Sequence, residues 1–338
     1  MTPARSDKTA RTAGPDHAGG AEPVCRLAEI EDPTNLWFVH PVSNRLTPIL
    51  AALHVPPNAV SLAGMACGVL AGVAYHQVRD LRLVAAGFAL MLVWHVLDGV
   101  DGQLARLTNT QSPTGKVLDG ICDYVTFTAV YAGLALALSR QHGGWVWGVV
   151  ALAGACHAVQ SAIYETQRQD YLFWGWGRAS AALADPDAAP PDRPATPPAR
   201  AAVALHGLYA RVQTLAGGVT PATRRRLAAI LDAQPERAPA IRLLYRTMFA
   251  PSVRRWSVLS ANTRTLGLFA FALAGVPLYY FYVEIAGLSA VLLVLLARQE
   301  ARYRALFRSL EPRAGEAGKV EALPQTPPKA RLWNPLLK

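Results

Sequence analysis

Four aspartates, Asp98, Asp101, Asp119 and Asp123, stand within the stretch LDGVDGQLARLTNTQSPTGKVLDGICDY, residues 97–124. Carboxylates supply oxygen ligands only, a donor set that suits Mg²⁺ or Mn²⁺ rather than zinc. Two such divalent ions can clamp a diphosphate and stabilise an in-line displacement at phosphorus. Arg106 offers a bidentate fork to the same phosphates. Gly102, Ala105 and Gly115 leave room for a ligand to approach the backbone closely. A carboxylate not fully engaged by metal can take the proton of an attacking hydroxyl. One aspartate here would read as a solvated helix terminus. Four, with Gly and Arg between them, do not.

The spacing places these groups on helices. Asp98, Asp101, Gly102 and Ala105 stand at i, i+3, i+4 and i+7, and Gly115, Asp119 and Asp123 at i, i+4 and i+8, so each set shares one helix face. Two antiparallel helices joined by a short Pro-containing loop would bring the faces together. Uncompensated, four acids near hydrocarbon would be costly, and divalent cations are their natural partners.

Composition says what surrounds the helices. Of 338 residues, 52% are hydrophobic and 17% charged, against about a quarter charged in an ordinary soluble domain. The apolar residues fall in blocks, which predicts an all-α integral membrane protein. Six spans are expected: Ala59–His76, Leu83–Ala105, Lys116–Leu138, Gly144–Tyr164, Leu266–Tyr282 and Ile285–Ala297, the last two joined in a hairpin at Val283–Glu284. Residues 31–58 carry an apolar stripe from Trp37 to Leu53 and predict an interfacial amphipathic helix. Residues 1–30 read as a disordered arm, 166–263 as a cytoplasmic insertion and 301–338 as a cytoplasmic tail. Within the insertion, Tyr171–Trp176 suggests interfacial aromatics, Pro190–Pro198 an irregular segment, and Ala202–Leu215 and Thr223–Leu231 helices.

The net charge of +10 admits nucleic acid or an anionic membrane surface. No basic run interleaved with aromatics supports nucleic acid, so the expected partners are membrane lipids. Basic residues concentrate on the two termini and the insertion, which places these, and the aspartates, on the cytoplasmic side. Cys25, Cys67, Cys122 and Cys156 form no CxxC pair and imply neither a disulfide framework nor a metal site. No apolar run follows the basic N-terminus, so a cleaved leader is not expected.

The pattern D-x-x-D-G-x-x-A-R-x(8)-G-x-x-x-D-x-x-x-D, met at Asp98, Asp101, Gly102, Ala105, Arg106, Gly115, Asp119 and Asp123, is similar to the signature of the CDP-alcohol phosphotransferases. The likeness covers about 58–166 and 265–297. It implies that the four aspartates bind the metals and that Asp123 is also the base. It further implies that Gly102, Arg106 and Ser112 contact a CDP-linked donor. Asn58–Ser61 resembles the family's entry to its first span and would line the nucleotide site, with Ser61 where Thr is usual. A CDP-linked lipid or CDP-alcohol, an alcohol acceptor and release of CMP follow from the same resemblance. The expected setting is a bacterial inner (plasma) membrane, and a homodimer is an arrangement open to the chain.

Other residues are weaker candidates. Glu165 and Arg168 could hold an acceptor headgroup or simply form an interfacial ion pair. His95 and His157 read as packed histidines rather than bases, and Glu284 as the polar tip of a hairpin. A cation transporter would place its acids at mid-bilayer on broken helices, and a lipid-binding scaffold would not need all four with Arg106. Within the enzyme class two branches stay open: a CDP-lipid with a polar alcohol, or CDP-choline or CDP-ethanolamine with diacylglycerol or ceramide. Span three lacks Lys or Arg past Asp123, and Arg168 and Arg264 stand at span edges. An unphosphorylated or zwitterionic acceptor is therefore favoured over a phosphorylated one.

Overall fold

The computed structural model describes residues 27–183 and 219–311, and their regular structure is helical throughout. The expected arm up to residue 26, Pro190–Pro198, Ala202–Leu215 and the tail beyond residue 311 lie outside the described residues. Among the described residues, five helices are long and apolar enough to cross a bilayer, as the blocks of apolar sequence predict for an integral membrane protein.

A π-helical turn, Asn35–Val39, runs without a break into α1, His40–Ala52. This helix lies along α3 (Leu81–Leu107) and turns small polar groups toward it. Ser43 Oγ donates to the Val96 carbonyl at 3.0 Å and Thr47 Oγ1 to Gln103 Oε1 at 2.9 Å. Val42, Leu46 and Leu50 pack on the same neighbour, whereas Trp37 is 83% exposed and Leu53 67%. Outward aromatic and aliphatic side chains on a helix beside a bundle suit the apolar–polar boundary of a membrane.

The next helix, α2 (Pro57–His76), begins with Pro57, which needs no amide partner in a first turn. It packs closely against both α3 and α4, Pro113–His142. The α2–α4 crossing depends on glycine: a Cβ at Gly133 would collide with the Gly72 carbonyl, and one at Gly72 with that of Ala129. Such backbone-to-backbone approach is how helices associate where lipid removes the hydrophobic incentive. A core including Tyr75, Met91, Trp94, Leu134 and Val150 fills the bundle.

Helix α5, Val146–Asp170, does not stop near Tyr164 as its composition suggests. It continues through a π-helical turn, Tyr171–Gly175, and ends at Gly177, whose φ of +69° suits a residue without Cβ. The aromatic run expected at an interface is instead interior: Tyr171 and Trp174 are buried. They pack against α6 (Pro221–Ala233), α7 (Ala238–Arg255), Ile30, and Tyr303 and Leu306 from the last helix. This second core explains why apolar residues recur in the predicted insertion, and α6 contains the expected Thr223–Leu231 helix.

The last two expected spans are divided elsewhere. The turn falls at Ala274–Val276, not Val283–Glu284. Gly275 there has φ +75°, and Pro277 opens the following helix. Before it, α8 (Ala261–Leu273) has only 13 residues, about 20 Å at 1.5 Å per residue, against roughly 30 Å of hydrocarbon. After it, α9 (Pro277–Tyr282), a π-helical turn (Val283–Leu288) and α10 (Ser289–Leu310) make one helical stretch of 34 residues. Gly-x-Pro is the boundary signal, and the polar side chain of Glu284 is not one.

Candidate metal centre

Asp98 lies on the last turns of α3, and Asp119 and Asp123 lie one turn apart on α4. Each of the three offers a carboxylate oxygen within 4.8 Å of the others, all half-buried. They meet where α3 ends and α4 begins. Ser112 caps α4, accepting from the Gly115 amide at 3.0 Å, and Pro113 follows at the first helical position. Such a start fixes the direction of the helix and hence the faces of Asp119 and Asp123.

Asp101 is held differently. It is 5% exposed, and Ser61 Oγ donates to its Oδ2 at 2.5 Å. The hydroxyl at the start of α2 therefore orients the one aspartate outside the three-carboxylate group. Serine in place of the usual threonine keeps this donor. All four acids remain within electrostatic reach of Cys122.

The other expected donor-site residues surround the carboxylates. Asn58 approaches Gly115, where an added Cβ would lie 3.6 Å from Asn58 Oδ1 and 3.0 Å from Ser112 Oγ. At Gly102 an added Cβ would be in ordinary contact with the Arg106 guanidinium, at 3.4 Å. Ala105 and Arg106 are half-buried beside it. Gly99, between Asp98 and Asp101, is pressed by Ser43 from α1, so the juxtamembrane helix sets the lateral position of α3 at the carboxylates.

The structure binds Glu165 and Arg168 into an ion-pair cluster. Arg168 Nη1 lies 2.9 Å from Glu165 Oε2, and Nη2 lies 3.8 Å from Glu31 Oε2, with His40 Nε2 3.7 Å from the same oxygen. The expected packing of the histidines also appears. His95 Nε2 is 2.9 Å from Thr265 Oγ1 on α8, and His157 Nδ1 is 3.2 Å from Tyr131 Oη.

Glu284 is the clear correction. It is fully buried rather than a hairpin tip, and Arg264 Nε donates to it at 2.9 Å. Tyr131 and Tyr280 hydroxyls donate to its other oxygen, and Arg264 Nη2 donates to Gln160 Oε1 at 2.7 Å. Arg264 is therefore not a mobile edge arginine. Its charge is spent on Glu284, which ties α8, α9, α5 and α4 together. The available sequence signal was one acid and one base within two neighbouring apolar segments, since such groups pair when buried in a membrane.

Residues 54–183 match the family model described as CDP-alcohol phosphatidyltransferase. Among curated proteins the chain is similar to a CDP-diacylglycerol–serine O-phosphatidyltransferase of Mycobacterium tuberculosis. Identity is 32% over 123 residues, 35% of this chain and 40% of the relative. It is also similar to choline/ethanolaminephosphotransferase 2 of Arabidopsis thaliana (31% identity, 35% of this chain, 33% of the relative). Cholinephosphotransferase 1 of Gallus gallus is 30% identical over 30% of each chain. The match thus spans less than half the length of these relatives. The family-model match covers α2–α5 with all four aspartates, and ends before α6. The chain therefore carries, over residues 54–183, a segment similar to the CDP-alcohol phosphatidyltransferase domain.

Proposed function

We propose that the protein is a metal-dependent phosphotransferase of phospholipid biosynthesis, moving a phosphoalcohol group from a CDP-linked donor to an alcohol with release of CMP. The convergence of Asp98, Asp119 and Asp123 within 4.8 Å carries this reading. Three carboxylates so close repel one another unless a cation joins them, and an all-oxygen donor set fits Mg²⁺ or Mn²⁺. Asp98, Asp119 and Asp123 would hold these ions, with Asp101, steadied by Ser61, completing the set. When bound, the ions would neutralise the diphosphate charge that builds as the donor is cleaved.

The chain's own groups supply the rest. Gly102 leaves the backbone open to the donor, Arg106 engages its phosphates, and Asn58 and Ser61 border the nucleotide. Asp123 takes the proton from the acceptor hydroxyl. The acceptor oxygen bonds to the phosphorus bearing the alcohol, the bond from that phosphorus to the bridging oxygen breaks, and CMP leaves with the electron pair. The active site faces the cytoplasm of a bacterial inner membrane, because the basic residues concentrate on that face.

A neutral or amino alcohol is the proposed acceptor. Arg264 is neutralised by Glu284, and Arg168 by Glu165 and Glu31, so neither carries an unmatched charge for a second phosphate. Purified protein incubated with radiolabelled CDP-diacylglycerol, CDP-choline or CDP-ethanolamine and a panel of acceptors tests the proposal. A labelled lipid product with stoichiometric CMP is expected. No product from any pair in the presence of Mg²⁺ or Mn²⁺ would refute it.

A further inference from the structure

The last helix leaves its apolar stretch at Ala297–Arg298 and continues to Leu310. At that exit a group of arginines gathers. Arg298 and Arg302 stand one turn apart on α10, and Arg255, the last residue of α7, stands three residues past Ser252, whose hydroxyl Arg302 reaches. Arg254 and Arg255 also line a cavity of about 470 Å³ together with Glu29, Pro33, Ala250 and Pro251.

Arg168, Arg224, Arg226, Arg264 and Arg304 each face a carboxylate. Among the described residues, no carboxylate forms an ion pair with Arg254, Arg255, Arg298 or Arg302. The two nearby acids are occupied. Glu29 Oε1 accepts from Tyr171 Oη and Trp176 Nε1, and Glu300 faces Arg304. Like charges crowded in this way favour an external anion.

The cluster is also supported from beneath. Arg302 Nη1 donates to Ser252 Oγ at 2.8 Å, Ser252 to Gln299 Oε1 at 3.2 Å, and Gln299 Nε2 to Gln167 Oε1 at 2.7 Å. Ser252, Gln299 and Gln167 are each 1% exposed. This buried relay fixes Arg302 from its inner side and leaves its remaining donors for a ligand. On the membrane side, Leu293 and Val294 are exposed along the same helix, so a ligand at the arginines would have apolar surface next to its polar head.

We infer that Arg254, Arg255, Arg298 and Arg302 form a binding site for the phosphate of an anionic phospholipid headgroup, separate from the aspartate centre. Guanidinium groups match phosphate oxygens in geometry and charge, and basic residues at a membrane surface attract anionic lipid.

The test follows the melting temperature of the full chain in a non-ionic detergent with EDTA, titrated with dioctanoyl phosphatidylglycerol, dioctanoyl phosphatidylcholine or inorganic phosphate. Saturable stabilisation by phosphatidylglycerol alone is expected. The half-saturating concentration should rise roughly tenfold in Arg298→Gln and further in Arg298→Gln/Arg302→Gln. Arg298 is exposed and outside the buried relay, so the single variant tests binding without disturbing Ser252. Arg225→Gln, on exposed α6 surface, should leave the titration unchanged. Equal stabilisation by both lipids, or unaltered titration in Arg298→Gln, overturns the site. Equal potency of inorganic phosphate overturns its assignment to lipid.

Discussion

Asp101 is the most buried of the four aspartates, and the Ser61 hydroxyl donates to it. A hydrogen bond to a charged group contributes about 1.5–3 kcal/mol, so Ser61→Ala should lower turnover markedly and reduce thermal stability. Ser61→Thr keeps the donor and should retain most activity; equal activity in all three proteins would dissociate Ser61 from the centre. Asp123 carries a different proposed burden, as metal ligand and as base. Asp123→Asn should reduce transfer at least a hundredfold in a folded protein, measured by product formation beside an unchanged melting curve. Near-normal turnover at saturating Mg²⁺ would remove Asp123 from that role. Full activity after exhaustive EDTA treatment would remove the metal from the mechanism altogether.

At the scale of elements, the centre depends on helices that carry none of its ligands. Helix α2 packs on both α3 and α4, and the α2–α4 contact requires glycine at Gly72 and Gly133. Helix α1 presses Ser43 against Gly99 and joins Thr47 to Gln103. Arg264 and Glu284 hold the short α8 to α9 and α5. Breaking a buried pair by removing one charge costs about 3–5 kcal/mol, whereas replacing both by apolar residues of similar volume is often neutral. Glu284→Gln should therefore melt well below the native protein in detergent. Arg264→Met/Glu284→Leu should recover a large part of the loss. A double variant no more stable than the single would show that the pair's further hydrogen bonds, to Tyr131, Tyr280 and Gln160, carry the stability instead.

For the whole molecule, the alternation of α2–α5 returns the end of α5, α6, α7 and the end of α10 to the face where the aspartates lie. The polar helical unit and the metal centre therefore share one side of the membrane. In a cysteine-free background, cysteines placed at Thr110 and Arg225 should react with an impermeant reagent from the same side. One at Gln141, between α4 and α5, should react from the other. Labelling of Thr110 and Gln141 from one side would overturn this topology.

The grouping of the aspartates was legible in the sequence because helical period alone sets which residues share a face. Asp119 and Asp123 are four apart on any α-helix, and the apolar blocks around them require a membrane to bury them. The first four spans were readable for the same local reason. Tertiary structure decided what lies between distant segments. It paired Arg264 with Glu284, brought Ser61 to Asp101, and folded Tyr171 and Trp174 into a second core with α6, α7 and α10. It also moved the last turn to Gly275. Burial can make a polar residue such as Glu284 an interior cross-link, and a single segment's periodicity does not contain the position of its partner.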